Sequence, residues 1–231
     1  MKKAPIEPVL AQPGAYRQVF RDGETVLLTA AARWPRLAEA SPGLRRVTRY
    51  YNALAARWRR WWEGPLLERA RAAAGPETPP WSASMDFTVT LFSPDLLSLF
   101  IDIVEETGSR PRRVRLGDVW ALPSGVPLEL KELLARRRWR SAALETVRAQ
   151  VEERVSSGDC LYYEDWPRLV SARFSPQRFY LTGEGPVVFY PPEAIAPALE
   201  GFPTFSLASL CPAGSPPTGA ETSPRAVSGT F

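Results

Sequence analysis

FYLTGEGPVVFYPPEAIAPALEGFPTF, Phe179–Phe205, sets two short apolar runs around a turn, then a brief helical segment and a final aromatic strand. The turn is Thr182-Gly183-Glu184-Gly185, flanked by Phe179–Leu181 and Val187–Tyr190, the pattern of a β-hairpin. Pro191-Pro192 starts a helical turn over Glu193–Leu199, because proline is tolerated in the first turn of a helix, and Gly201 closes it. FPTFSL then reads as the last strand. The rest of the chain is expected to cover this stretch.

Upstream, Ser82–Leu122 is the clearest sheet. In SASMDFTVTLF the apolar residues Ala83, Met85, Phe87, Val89 and Leu91 alternate with Ser82, Ser84, Asp86, Thr88 and Thr90, so one face packs and the other is wet or lightly covered. Ser93-Pro94-Asp95 turns the chain into LLSLFIDIVEE, with Leu97, Leu99, Ile101 and Ile103 on one face. Thr107-Gly108-Ser109 turns it again into RRVRLGDVWAL, with Val114, Leu116, Trp120 and Leu122 aligned. Three strands with short turns make an antiparallel meander. Before it, YRQVF and ETVLLTAAARW flank Asp22-Gly23, a further hairpin signal.

Two helical regions accompany these strands. In Leu44–Ala74 the residues Val47, Tyr51, Leu54, Trp58, Trp61 and Trp62 recur at steps of three and four and share a face, while Arg49, Arg57, Arg59 and Arg60 lie mainly elsewhere. That separation favours an amphipathic helix docked on a sheet over a nucleic-acid or membrane face. Gly64-Pro65 is expected to kink it and Gly75-Pro76 to end it. Asn52, the sole asparagine, caps or bridges to a neighbouring strand or is a plain surface residue. Farther on, Leu130, Leu133 and Leu134 point inward from one helix, and Leu144, Val147, Val151 and Val155 from a second over about Ser141–Val155. Arg136–Arg140, Arg148 and Arg154 read as a solvated cationic face, and Cys160–Pro176 as a connector with Glu164-Asp165 in a polar loop. The fold class is α+β: an antiparallel meander sheet with helices packed on one face, completed by the final hairpin and short helix as a second half.

Composition narrows the chemistry. The 231 residues carry a net charge of +4 and no histidine, which removes the commonest general acid/base and metal ligand. The isoelectric point near 9.3 rests almost wholly on arginine, the only lysines being Lys2, Lys3 and Lys131, and nucleic-acid binding is not the favoured reading. Cys160 and Cys211 cannot form a zinc site by themselves and are expected as reduced thiols. No cofactor or metal is expected. A carboxylate pair stays open: Asp86, Asp102, Glu105, Glu106 and Asp118 lie on or beside the meander. No apolar run suits an export signal or a membrane span, so the cytoplasm is the expected location, export or anchoring requiring upstream residues.

Phe179-Tyr180-Leu181, Gly183, Val187–Tyr190, Glu193-Ala194-Ile195-Ala196-Pro197 and Gly201–Phe205 together resemble the ending of the RsiV-like C-terminal domain family, found in anti-sigma-factor ectodomains and beside peptidoglycan deacetylase domains. Tyr50–Asn52, Gly117–Trp120, Ser124-Gly125 and Leu128–Leu134 resemble its upstream helix, strand, turn and helix start in the same order. Val104–Arg110 departs from the family's double-glycine, histidine-bearing segment, and sigma-factor inhibition is not carried over. The resemblance implies a fold and a tendency to bind. It divides the chain into a flexible arm (1–15), an N-terminal α+β half (16–108), an RsiV-like C-terminal domain (109–211) and a disordered tail (212–231). The expected function is a non-enzymatic binding or regulatory module with an unknown protein partner. Trp58, Trp62, Arg113, Arg115, Trp139 and Arg140 are its candidate contacts, as exposed aromatics and arginines are favoured interface anchors. The alternatives are a cell-wall glycan-active enzyme using a carboxylate pair, and an arginine-rich nucleic-acid binder.

Overall fold

The computed structural model describes residues 10–38, 41–75, 77–108, 110–134 and 136–211. The tail expected over 212–231 and most of the N-terminal arm lie outside these residues. The described end of the arm is held: Leu10 bridges Leu37, and the Ala11 N–H donates to the Arg36 carbonyl at 2.9 Å.

A six-stranded sheet runs in the order β1 (Gly14–Asp22), β2 (Thr25–Trp34), β3 (Trp81–Phe92), β4 (Leu96–Glu106), β5 (Arg112–Ala121) and β6 (Val126–Pro127). The hairpin and the meander fall where alternation placed them, and the fold is α+β. Between them, β2 and β3 pair in parallel, with Leu28 opposite Trp81 and Ala32 opposite Met85. A parallel neighbour needs a crossover, and the long helical segment supplies it. Ser41 caps that segment, its hydroxyl accepting from the Leu44 N–H at 3.2 Å. Helix α1 (Pro42–Trp61) continues into a π-helical turn, Trp62–Leu66, and then α2 (Leu67–Ala73). The expected kink at Gly64-Pro65 is this π turn: the wider winding absorbs a proline that lacks an N–H and would crowd the previous turn. Val47, Tyr51, Trp62 and Leu66 stay buried against the sheet through the irregularity.

The second sheet, β7 (Phe179–Leu181), β8 (Pro186–Phe189) and β9 (Thr204–Ser206), is the opening stretch of sequence folded as two antiparallel pairs. Helices α3 (Leu130–Leu134), α4 (Trp139–Ser157) and α5 (Trp166–Arg173) share its core, which also takes Leu91 and Val119 from the large sheet. Leu91 was grouped with the odd residues of β3, but a bulge at Thr90 shifts the register, from Val89 opposite Leu99 to Leu91 opposite Ser98, and turns Leu91 into the second core. Thr90 and Ser98 tie the sheets together. Their hydroxyls are 3.0 Å apart, Thr90 donates to the Leu181 carbonyl at 2.7 Å, and the Leu181 N–H donates to Ser98 Oγ at 2.7 Å.

Three local expectations change. The connector after Cys160 contains α5, begun by Asp165, whose carboxylate pairs with Arg168, and Pro167 near its first turn. The helix expected over Glu193–Leu199 is a 3-10 turn at Ala198–Glu200, since Glu193 takes a positive φ of 62° that no right-handed helix allows. In α4, Ala143 joins Val147 and Val151 in the core, Leu144 is half-buried and Val155 is exposed, so the packed stripe keeps strict steps of four.

Candidate functional site

Strand β5, RRVRLGDVWA, sends its two sets of side chains to different neighbours. Val114, Leu116 and Trp120 pack with α1 in the first core, and Asp118 occupies a position of the same set. There the Tyr51 hydroxyl donates to Asp118 Oδ2 at 3.0 Å and accepts from Trp120 Nε1 at 2.8 Å. Burial pushes the Asp118 carboxyl up to about 6, and the Tyr51 bond offsets only part of that rise. Burial, with Asp118 beside it, also raises the Tyr51 phenol well above its ordinary value. Tyr50 stands edge-on to Tyr51 and Trp120, with ring centres 5.0 and 5.1 Å away.

On the other face, Arg115 donates through Nε and Nη2 to the two oxygens of Asp102, both at 2.7 Å. Its guanidinium lies 4.0 Å from the Phe100 ring centre and 4.5 Å from that of Phe202. Two residues along, Gly117 is where β7 leans on β5: a Cβ there would stand 2.1 Å from the Phe179 carbonyl oxygen. Only glycine fits so close an approach.

A cleft of about 770 Å³ runs along β5. Arg113 to Val119 form its floor, Leu128 to Lys131 one wall, and Trp139, Gln177, Arg178 and Phe202 contribute to the rest. Among the six residues named from sequence, Arg113, Arg115 and Trp139 line this cleft. Arg140, one residue beyond Trp139, lies over the Phe174 ring at 5.6 Å. Trp58 and Trp62 sit near the end of α1, their rings 6.3 Å apart, with Arg112 over Trp58 at 5.5 Å. Trp62 was expected to reach a partner, but it has 0% exposure and belongs to the core, on the same helical face as Val47 and Tyr51. Sequence reasoning missed Tyr50, Gly117, Arg178 and Phe202 as parts of the site. A glycine inside a strand pattern was the available signal for Gly117.

The candidate acids are placed as follows. Glu105 is buried, its Oε1 accepting from Trp61 Nε1 at 2.8 Å and Trp62 Nε1 at 3.1 Å and its Oε2 from Arg112 at 3.0 Å. In the β4–β5 register Glu105 opposes Arg112 and Leu99 opposes Asp118, so Glu105 and Asp118 are six ladder positions apart. That is about 20 Å, against roughly 5 to 9.5 Å for the carboxylates of glycoside hydrolysis. Asp86 and Asp102 do face each other across β3 and β4, but Arg33 and Arg115 engage them, and neither lines the cleft. Glu106 is exposed at the end of β4. Among the described residues there is no group of three acids or cysteines placed to hold a metal ion, and Cys160 and Cys211 are free.

The arginines after β6 are only partly the open cationic face expected. Arg136 donates to the Leu210 carbonyl at 2.9 Å and Arg148 to Ser171 at 2.6 Å. Arg154, half-buried over Phe205 at 4.8 Å, donates to the Thr204 carbonyl at 2.9 Å. Arg154 thus fastens α4 to β9, Arg148 ties α4 to α5, and Arg136 ties the turn after α3 to the chain beyond β9.

No family model matches the sequence, and no curated protein does. Solved structures do resemble the fold. A DUF3298 family protein from Pseudomonas aeruginosa PAO1 is similar with a TM-score of 0.60 at 15% identity, over 87% of this chain and 90% of that one. A DUF3298 family member from Bacteroides fragilis is similar with a TM-score of 0.57 at 12% identity, over 87% and 89%. The chain therefore has the fold of the DUF3298 proteins along nearly its whole described length.

Proposed function

We propose that the chain is a non-enzymatic binding or regulatory module of the RsiV-like type, whose protein partner seats in the cleft along β5. The cleft itself carries this reading. It is roomy, it is walled by arginines and aromatics, and its half-buried acid, Asp118, stands about 20 Å along the ladder from Glu105. The stretch that resembles the RsiV-like ending builds β7, β8 and β9, and β7 packs directly on β5 at Gly117. The motif behind the resemblance thus shapes one wall of the proposed site. The free cysteines suit a reducing compartment, and the cytoplasm is the proposed setting. No helix among the described residues is long and apolar enough to cross a membrane.

Affinity capture from native lysate tests the reading. The intact chain retains one partner in stoichiometric amount. Arg113→Glu and Trp139→Ala reduce its retention at least tenfold, and Arg57→Ala, on the exposed side of α1, leaves it unchanged. Equal retention by both cleft variants, or no stoichiometric partner, would overturn it.

A further inference from the structure

We propose that the open edge of β5 accepts an extended, acidic segment of the partner polypeptide as an added β-strand; this rests on the cleft being the binding site. Strand β5 pairs with β4 along its whole length but with β6 only at Trp120 and Ala121. The Leu128 N–H reaches one residue further, to the Val119 carbonyl at 2.7 Å, and the Gly125 N–H reaches the Ala121 carbonyl at 2.7 Å. Val119 and Ala121 therefore turn their backbone groups away from β4. Backbone groups alternate sides along a strand, so Gly117, Arg115 and Arg113 turn theirs the same way. No strand lies opposite those three residues, and no backbone group from outside the sheet bonds to them among the described residues. An unpaired edge of this kind is a template for another chain. Here it opens into the cleft.

Charge selects the occupant. The cleft lining carries Arg113, Arg115, Lys131 and Arg178 against Asp118 and Glu129. Asp102 neutralises Arg115, and Glu129 neutralises Lys131 at 2.7 Å. Arg113 is exposed and has no ion pair among the described residues. Arg178 donates to the Arg173 carbonyl, at 3.2 Å, and pairs with no acid among the described residues. An incoming strand that brings carboxylates meets these two cations. A second copy of this chain fits less well in the registers centred on the arginine-bearing stretch. Antiparallel pairing of β5 with itself about Arg115 sets arginine against arginine, and pairing about Val114 sets Arg113 against Arg115; like charges directly opposite are unfavourable. The arginines thus guard the edge against self-association and leave it open to an acidic partner.

A displayed library of random dodecapeptides, selected on the intact chain, tests the proposal. The recovered peptides are expected to be acidic and free of proline in their binding core. As synthetic ligands they slow amide exchange at least tenfold at Arg113, Arg115 and Gly117, bind more weakly as salt rises, and lose binding when alternate peptide amides are N-methylated. Arg113→Glu weakens them at least tenfold. Peptides without acidic bias, insensitivity to N-methylation, unprotected amides at the three positions, or no recovered peptide would each overturn strand addition. Ligands that need Trp139 but leave the three amides unprotected overturn the strand mode alone, with the cleft reading intact. Ligands indifferent to both Trp139→Ala and Arg113→Glu overturn both. A concentration-dependent dimer that protects the same amides would give the edge to a second copy and overturn the proposal as well.

Discussion

Glu105 and Asp118 sit at opposite ends of one sheet face, both acids among apolar neighbours, and they are served very differently. Glu105 has three donors, two indoles and a guanidinium, and 3% exposure. Among the described residues Asp118 has one donor, the Tyr51 hydroxyl, and it lies on the rim of the cleft. A buried carboxylate is tolerable when its lone pairs are filled, and costly when they are not. The Glu105 end is therefore a closed joint between the crossover segment and the sheet. The Asp118 end holds a group whose protonation can change, beside the surface proposed to bind a partner.

The sharpest way to break the contrast is Glu105→Ala, which strands two indole N–H groups in the core. It should lower unfolding free energy by about 3 to 5 kcal/mol, read by urea denaturation. Glu105→Gln, which keeps an acceptor for the indoles, should lose less than half as much. Tyr51→Phe comes next. It removes the acceptor of Trp120 Nε1 and the donor to Asp118, and should cost about 1 to 3 kcal/mol. Because the Tyr51 bond is what holds the Asp118 carboxyl down, the same change should move its titration upward, which NMR of the carboxyl carbon would report.

Asp118→Asn should have the opposite sign and depend on pH. The folded carboxyl titrates at about 6 and the reference value is 3.8, so the native state holds the proton more tightly between them. Stability from this group is full below 3.8, falls as pH rises through that window, and is flat above about 6. The whole shift corresponds to roughly 3 kcal/mol. Asparagine removes that penalty and keeps an acceptor for Tyr51. The variant should gain about 1 to 2 kcal/mol over the parent at pH 8 and nothing at pH 4, read as the difference between their denaturation profiles. The smallest effect belongs to Asn52→Ala, away from both acids. Asn52 accepts from Trp34 Nε1 at 2.7 Å at an exposed site, and its loss should cost about 0.5 to 1 kcal/mol.

The same contrast separates what was legible in the sequence from what was not. The period-two runs of β1 to β5 and the three-four stripe of α1 name their own faces, because alternation and helical pitch are properties of neighbours in the chain. Asn52 bridging to a neighbouring strand was among the readings weighed, and the bridge goes to the end of β2. Arg113, Arg115 and Trp139 were named, but nothing local grouped them apart from Trp58, Trp62 and Arg140. Their assembly depends on where α3 and α4 return across β5, a contact between residues far apart in sequence. Trp62 misled for a related reason. Its helical phase put it on the stripe of Val47 and Tyr51, and the sheet that covers that stripe belongs to distant segments of the chain.

By itself, the sequence determined the α+β class, the two hairpins, the meander and the aromatic ending that forms β7 to β9, since each is written in spacing along a few residues. Only the tertiary structure decided that β2 and β3 run parallel, that Thr90 bulges to send Leu91 into the second core, and that β5 keeps an unpaired edge. The physical reason is that strand pairing and burial are settled between distant segments competing for the same surface. Residues such as Glu105 and Asp118, alike on paper, acquire their character from the partners that competition brings.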